Sequence, residues 1–176
     1  SLTLVYDRAI GVMKALMMSP MSRSALLFAK IIAAALLSAL QVYIFLILAL
    51  IFDISFSLSG WLLIFPIILL SGLMLGSIGL CVTLYAKKIE NFAGMMNFVV
   101  FPMFFFSPAL YPLWKFRELD ANIIYYICLV NPFTYVIELI RFTAYSQTNF
   151  FSLCVTMAVT LICFICAVRG YVHLER

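Results

Sequence analysis

Charge is what this sequence has least of: Asp, Glu, Lys and Arg make up 10% of its 176 residues, against about 25% in soluble domains. With 66% of residues apolar and a mean hydropathy of +1.18, a soluble fold is excluded. Histidine occurs once, at His173, and no HExxH, no GxSxG and no close acidic pair within an apolar run is present. The sequence signatures of zinc hydrolases and of nucleophile-elbow serine enzymes are therefore missing. The phosphate-cradling GxxxxGK[ST] loop is also missing, so the chain does not bind ATP by that route. Carboxylates and histidine are absent from the long apolar runs, which counts against an ion-coupled pump. The chain is expected not to be an enzyme and to hold no cofactor or metal. Beyond Lys87-Lys88 no basic run exists, and nucleic acid is not expected as a partner. Five cysteines, an odd number set mostly in apolar runs, do not make a disulfide framework. Cys163 and Cys166 form a CxxC, but without a second pair or a nearby His they are read as buried apolar residues.

What is abundant is long uncharged sequence: Ile31 to Phe52, Ile54 to Ala86, Asn91 to Trp114 and Phe142 to Val168. Each exceeds the roughly 20 helical residues that cross a bilayer core. The expected fold is all-α, a polytopic integral membrane protein forming one transmembrane domain over 1–176, with spans at 26–52, 61–85, 92–113 and 150–168. Trp61 and Tyr85 at the ends of the second span suit the aromatic belt of the lipid bilayer. Gly72, Gly76 and Gly79 along one side of that span allow another helix to approach closely. Before the first span, Leu2, Val5, Ala9, Val12, Met13 and Leu16 recur at helical spacing, with Asp7, Gly11 and Lys14 opposite and Arg8 beside them. That pattern predicts an amphipathic helix, stopped at Ser19-Pro20. The sequence begins with Ser1 and has no signal-peptide pattern, so it is expected to start inside a longer protein.

The stretch 115–145 breaks the pattern. Ala121 to Val130 is too short to span, Asn131-Pro132 interrupts, and Phe133 to Ile140 resumes. Asn131 suits a helix cap and Pro132 a first helical position. If 115–145 is a re-entrant hairpin, Arg8, Lys14, Arg23, Lys30, Lys87, Lys88, Arg169 and Arg176 lie inside, and Lys115, Arg117 and Arg141 outside, eight to three. If it crosses instead, Arg169 and Arg176 exchange sides with Arg141, giving seven to four. The positive-inside rule favours the hairpin, with four spans and both ends cytoplasmic.

Two sets of residues carry a family resemblance. Asp7-Arg8-Ala9-Ile10-Gly11, Lys14 to Pro20, Ser22-Arg23 and Lys30 resemble the cytoplasmic segment of type 2 ATP-binding-cassette permeases. Ser107-Pro108-Ala109-Leu110-Tyr111-Pro112-Leu113, then Asn131-Pro132-Phe133-Thr134-Tyr135 and Glu138 to Arg141, are similar to that family's re-entrant region, with Phe133 standing where leucine is common. The drug-exporting and lipo-oligosaccharide-exporting branches are nearest in pattern. The resemblance implies an N-terminally incomplete permease of a cell membrane, the bacterial inner membrane, exporting a substrate with ATP and Mg held on a separate P-loop ATPase subunit. A second permease subunit, identical or different, would complete the translocation path.

By the same resemblance, residues 1–24 form a coupling segment in which Asp7, Arg8, Gly11 and Lys14 meet the ATPase; an amphipathic helix lying on headgroups is the plainer reading. Asn131, Pro132, Tyr135, Glu138 and Arg141 would belong to an outer gate. Glu138 and Arg141, three apart on one helical face, are expected to pair. Phe101, Phe104, Phe105 and Tyr111 are candidates for a substrate path, although an aromatic stripe facing lipid or a neighbouring helix is the favoured reading of these rings. A membrane-embedded structural or assembly subunit is the alternative function; it would share the spans but have no need of the coupling segment or the broken stretch.

Overall fold

A computed structural model describes residues 23–52, 58–85, 89–111, 113, 122–145 and 147–174. The amphipathic segment with Asp7, Arg8, Gly11 and Lys14 lies outside the described residues, as do Lys87, Lys88, Pro112, Lys115 and Arg117. The described helices are α1 (Arg23–Ile51), α2 (Leu58–Tyr85), α3 (Ile89–Phe105), α4 (Asn122–Val130), α5 (Pro132–Ala144) and α6 (Phe150–Leu174). The described secondary structure is helical, as an all-α membrane protein requires, since helices satisfy their own backbone in lipid.

Among the described residues three helices are long and apolar enough to cross a membrane, over Ser24–Ile51, Gly60–Tyr85 and Phe150–Tyr171. The third expected span, 92–113, is shorter than its apolar run. α3 has 17 residues and rises only about 25 Å, because the chain leaves the helix at Phe105, ahead of Pro108. The pair α4 and α5 is bent by 81° at Asn131.

α2 is the hub and touches α1, α3, α5 and α6. Small residues make this possible. A Cβ at Gly72 would stand 3.1 Å from Cα of Ala35, and one at Gly76 would stand 2.8 Å from Cγ2 of Ile31. A Cβ at Gly60 would reach 2.8 Å from the carbonyl oxygen of Ala144. Leu27, Ile31, Leu80, Ala167 and Tyr171 form one buried cluster. Ala39, Ile64 and Ile68 form another, against Tyr43, Ile140 and Ala144.

These clusters fix direction. Tyr171 shares a hydrogen bond with Thr83 (2.6 Å) and Gly170 packs on Leu84, so the C-terminal ends of α2 and α6 lie together. The N-terminal end of α2 at Gly60 meets the C-terminal end of α5 at Ala144, six residues before α6 begins. α2 and α6 therefore run parallel, and α1 runs antiparallel to both.

Hydroxyls inside the apolar helices are satisfied locally. Ser71, Ser77, Thr143, Thr156 and Thr160 each donate to the carbonyl four residues back, at 2.7 Å. This back-bonding lets a polar side chain sit where no water is present. Among the described residues no buried side-chain polar atom lacks a partner. Large apolar side chains instead cover the outside, with Phe45 75%, Leu62 80% and Phe98 83% exposed. Such a surface belongs against lipid or another apolar helix.

Candidate functional site

The polar chemistry of the chain converges where α3 ends and α4 turns into α5. Helix termini leave carbonyls without intrahelical donors, and proline adds to the deficit by deleting a donor. The carbonyl of Phe104 would ordinarily accept from the N–H of residue 108, which is Pro108. The hydroxyl of Ser107 donates to it instead, at 2.6 Å. The carboxamide of Asn131 donates to the carbonyls of Met103 (2.6 Å) and Phe106 (2.7 Å). The broken end of α3 is thus closed by a side chain 25 or more positions away.

The same logic governs the turn from α4 to α5. Pro132 occupies the first turn of α5, and Asn131, with φ −72° and ψ 118°, caps it by accepting from the N–H of Phe133 at 3.0 Å. The carbonyl of Cys128 loses its helical donor because residue 132 is proline, and Thr134 donates its hydroxyl there at 2.6 Å. Leu129, whose donor Phe133 is taken by the cap, accepts from the Tyr135 hydroxyl at 2.8 Å. Asn131, Pro132, Thr134 and Tyr135 therefore act together: proline makes the break and the other three complete its hydrogen bonds.

Glu138 and Arg141 do not take the pairing expected from their spacing. The Arg141 guanidinium donates to the carbonyl of Pro108 at 2.9 Å, and a Glu138 carboxylate oxygen accepts from the Ser152 hydroxyl at 3.3 Å. Each charged group ties α5 to a different neighbour, because the surrounding elements offer acceptors and donors within reach. The Tyr135 ring meets Phe151 edge-on, 5.7 Å between centroids.

Phe101 and Phe104 are brought to one place, a cavity of 520 Å³ whose floor includes Gly72 and Gly76 and whose walls include Ala34, Ser38, Val100 and Phe133. Its volume falls within the range of about 300–1,000 Å³ usual for small-molecule sites. The Ser38 hydroxyl is engaged with the Ala35 carbonyl at 2.8 Å, so the wall is almost wholly apolar. Phe105 packs against Phe101 and Phe104, and neither it nor the exposed Tyr111 lines the cavity.

Ser107, Thr134 and Ser152 were not among the residues expected from sequence to belong to the site. A signal for the first two was present: each hydroxyl lies within two residues of a proline whose missing N–H must be replaced. Ser152 had none, since its role depends on α6 packing beside α5. Among the described residues no group of His, Cys, Asp or Glu is arranged to hold a metal ion. Cys81 of α2 donates its thiol to the Cys163 carbonyl of α6 at 3.1 Å, an interhelical contact.

Comparison with curated proteins and with solved structures returned no match. The family model described as ABC-2 type transporter matches residues 1–145. That match covers the amphipathic segment, α1 to α5 and the whole of the proline-broken region, and the chain accordingly belongs to the ABC-2 transporter family as a membrane-embedded permease domain.

Proposed function

We propose that the chain is the translocation subunit of an ATP-binding-cassette exporter of the drug or lipo-oligosaccharide kind, driven by a separate P-loop ATPase that carries ATP and Mg. The observation that supports this most strongly is the docking of the α4–α5 break onto the broken end of α3. A purely structural membrane subunit has no need of two adjacent helix breaks, one of which supplies side-chain donors to the carbonyls left open at the other. Such discontinuous helices line solute paths in other transporters, because irregular backbone within a membrane is tolerated where it borders a cavity.

In this reading 115–145 is a re-entrant hairpin. The 81° bend between α4 and α5 suits such a hairpin. The parallel run of α2 and α6 supports the same topology, with one intervening crossing by α3 and a hairpin that returns to its own side. The hairpin then faces the outside, both chain ends face the cytoplasm, and the membrane is a bacterial inner membrane. Asn131, Pro132, Tyr135, Glu138 and Arg141 serve the outer gate, and Phe101 and Phe104 border the substrate path. Among the described helices α3 packs chiefly on α2 and α5, which suits a helix that also meets a second permease subunit. Asp7, Arg8, Gly11 and Lys14 couple to the ATPase, with charges setting orientation more than affinity.

Co-purification tests the reading. The full-length permease is expected to carry a P-loop ATPase through affinity purification, and the double variant Asp7→Lys with Lys14→Glu to lose it while retaining membrane insertion. An ATPase still bound to the double variant would remove the coupling role, and a permease that brings down no ATPase would remove the exporter reading.

A further inference from the structure

The side chains of Asn131 and Arg141 both tie the α5 side of the hairpin to the α3 side, and the ties differ in kind. The Asn131 tie is buried and threefold: two carbonyls of the α3 end accept from its amide, and its oxygen caps α5. The Arg141 tie is single and exposed, one guanidinium N–H on the carbonyl of buried Pro108. Asn131 and Arg141 are ten residues apart, so about 15 Å of helix separates them. Ile140 and Ala144 keep α5 packed on α2, so the element free to pivot is the stretch around Pro108, fixed to α5 at Asn131 and held lightly at Arg141.

The lightly held group also has a second acceptor on its own helix. Glu138 stands three positions before Arg141, and residues so spaced are neighbours on a helix surface. Among the described residues its carboxylate is engaged through one long bond from Ser152. Glu138 is half-buried and Arg141 exposed; a neutral carbonyl and a carboxylate that still meets solvent hold such a guanidinium with comparable strength, since solvent screens the ion pair. Two arrangements close in free energy are what a reversible element needs.

We propose that Arg141 is a two-position latch: on the Pro108 carbonyl it holds the end of α3 to α5, and on the Glu138 carboxylate it releases the Pro108 stretch to swing about Asn131. The latch rests on the reading of this region as a gate. It makes Glu138 the competitor that permits opening, a role distinct from that of a fixed ion-pair partner.

The latch is read by paired nitroxide labels at the exposed positions Leu110 and Tyr145, in a background with the five native cysteines replaced. The permease–ATPase complex is reconstituted in lipid vesicles, without nucleotide and with ATP and vanadate. Two label distances are expected. Glu138→Gln removes the competing charge and lowers the longer-distance fraction by about two- to fivefold, while Arg141→Gln raises it by a similar factor. Arg141→Lys, whose ammonium reaches either acceptor, keeps both populations. Because the two glutamine variants move the fraction in opposite directions, general misfolding does not imitate the result. A Glu138→Gln fraction equal to wild type overturns the latch and leaves Arg141 a fixed staple; a single short distance in every state overturns it as well. If the distances respond as stated but vesicles move no substrate, the exporter reading fails and the latch stands.

Discussion

Pro108 and Pro132 each delete a backbone N–H that the preceding turn needs, and Ser107 and Thr134 supply hydroxyls in their place. Buried carbonyls left without a donor cost about 1–3 kcal/mol each. Thr134→Val keeps the shape and removes the donor to Cys128; a loss of about 1–3 kcal/mol is expected in denaturant unfolding in detergent micelles. Asn131→Ala strips donors from Met103 and Phe106 and the cap from Phe133 together, so a larger loss of about 2–4 kcal/mol is expected by the same measurement. Equal stabilities for Asn131→Ala and wild type would show that water or lipid headgroups replace the carboxamide without cost. The capping role of Asn131 is readable in sequence, because a cap acts within three residues. Its bonds to Met103 and Phe106 are not, because they join segments that only folding brings together.

At the scale of the helix, glycine separates two situations. Gly60 of α2 lies against the backbone of α5, where even a methyl group would stand 2.8 Å from the Ala144 carbonyl oxygen. A backbone atom yields less readily than a side-chain tip, and Gly60→Ala is expected to destabilise by about 1–3 kcal/mol. Gly94 of α3 has open space around its missing Cβ, with nothing within 4 Å. Gly94→Ala is therefore expected to be neutral or to stabilise α3 by up to about 1 kcal/mol through helix propensity. Thermal unfolding of the two variants side by side checks the contrast, and a loss at Gly94 comparable to that at Gly60 would mean that α3 is packed against a further partner. The runs of α1, α2 and α6 were apparent from hydrophobic length alone. α3 ends at Phe105, short of the expected span limit at 113, because apolar composition continues to Trp114 while the hydrogen-bond ladder stops ahead of Pro108.

For the molecule as a whole, the parallel α2 and α6 and the bent pair between α3 and α6 make a claim about sides. Single cysteines at Leu110 and at Gln147, both exposed, are expected to react with a membrane-impermeant thiol reagent from the same side of sealed vesicles. Labelling from opposite sides would make α4 and α5 a crossing and reverse the orientation of α6. Charge arithmetic had already favoured the hairpin, since the positive-inside rule acts on short loops near span ends and needs no tertiary information. The cavity bordered by Phe101 and Phe104 was only half apparent: helical spacing grouped the aromatic rings, but Gly72, Gly76 and Ser38 join them through packing of separate helices.

The amino-acid sequence by itself determined membrane residence, helical class and the position of the break at Asn131-Pro132, because hydrophobic length, backbone satisfaction in lipid and proline's missing donor are all local properties. Tertiary structure alone decided that Arg141 turns to Pro108 and Glu138 to Ser152. Spacing along a helix identifies which groups can meet, whereas the partner chosen depends on which carbonyls and hydroxyls neighbouring helices bring within reach.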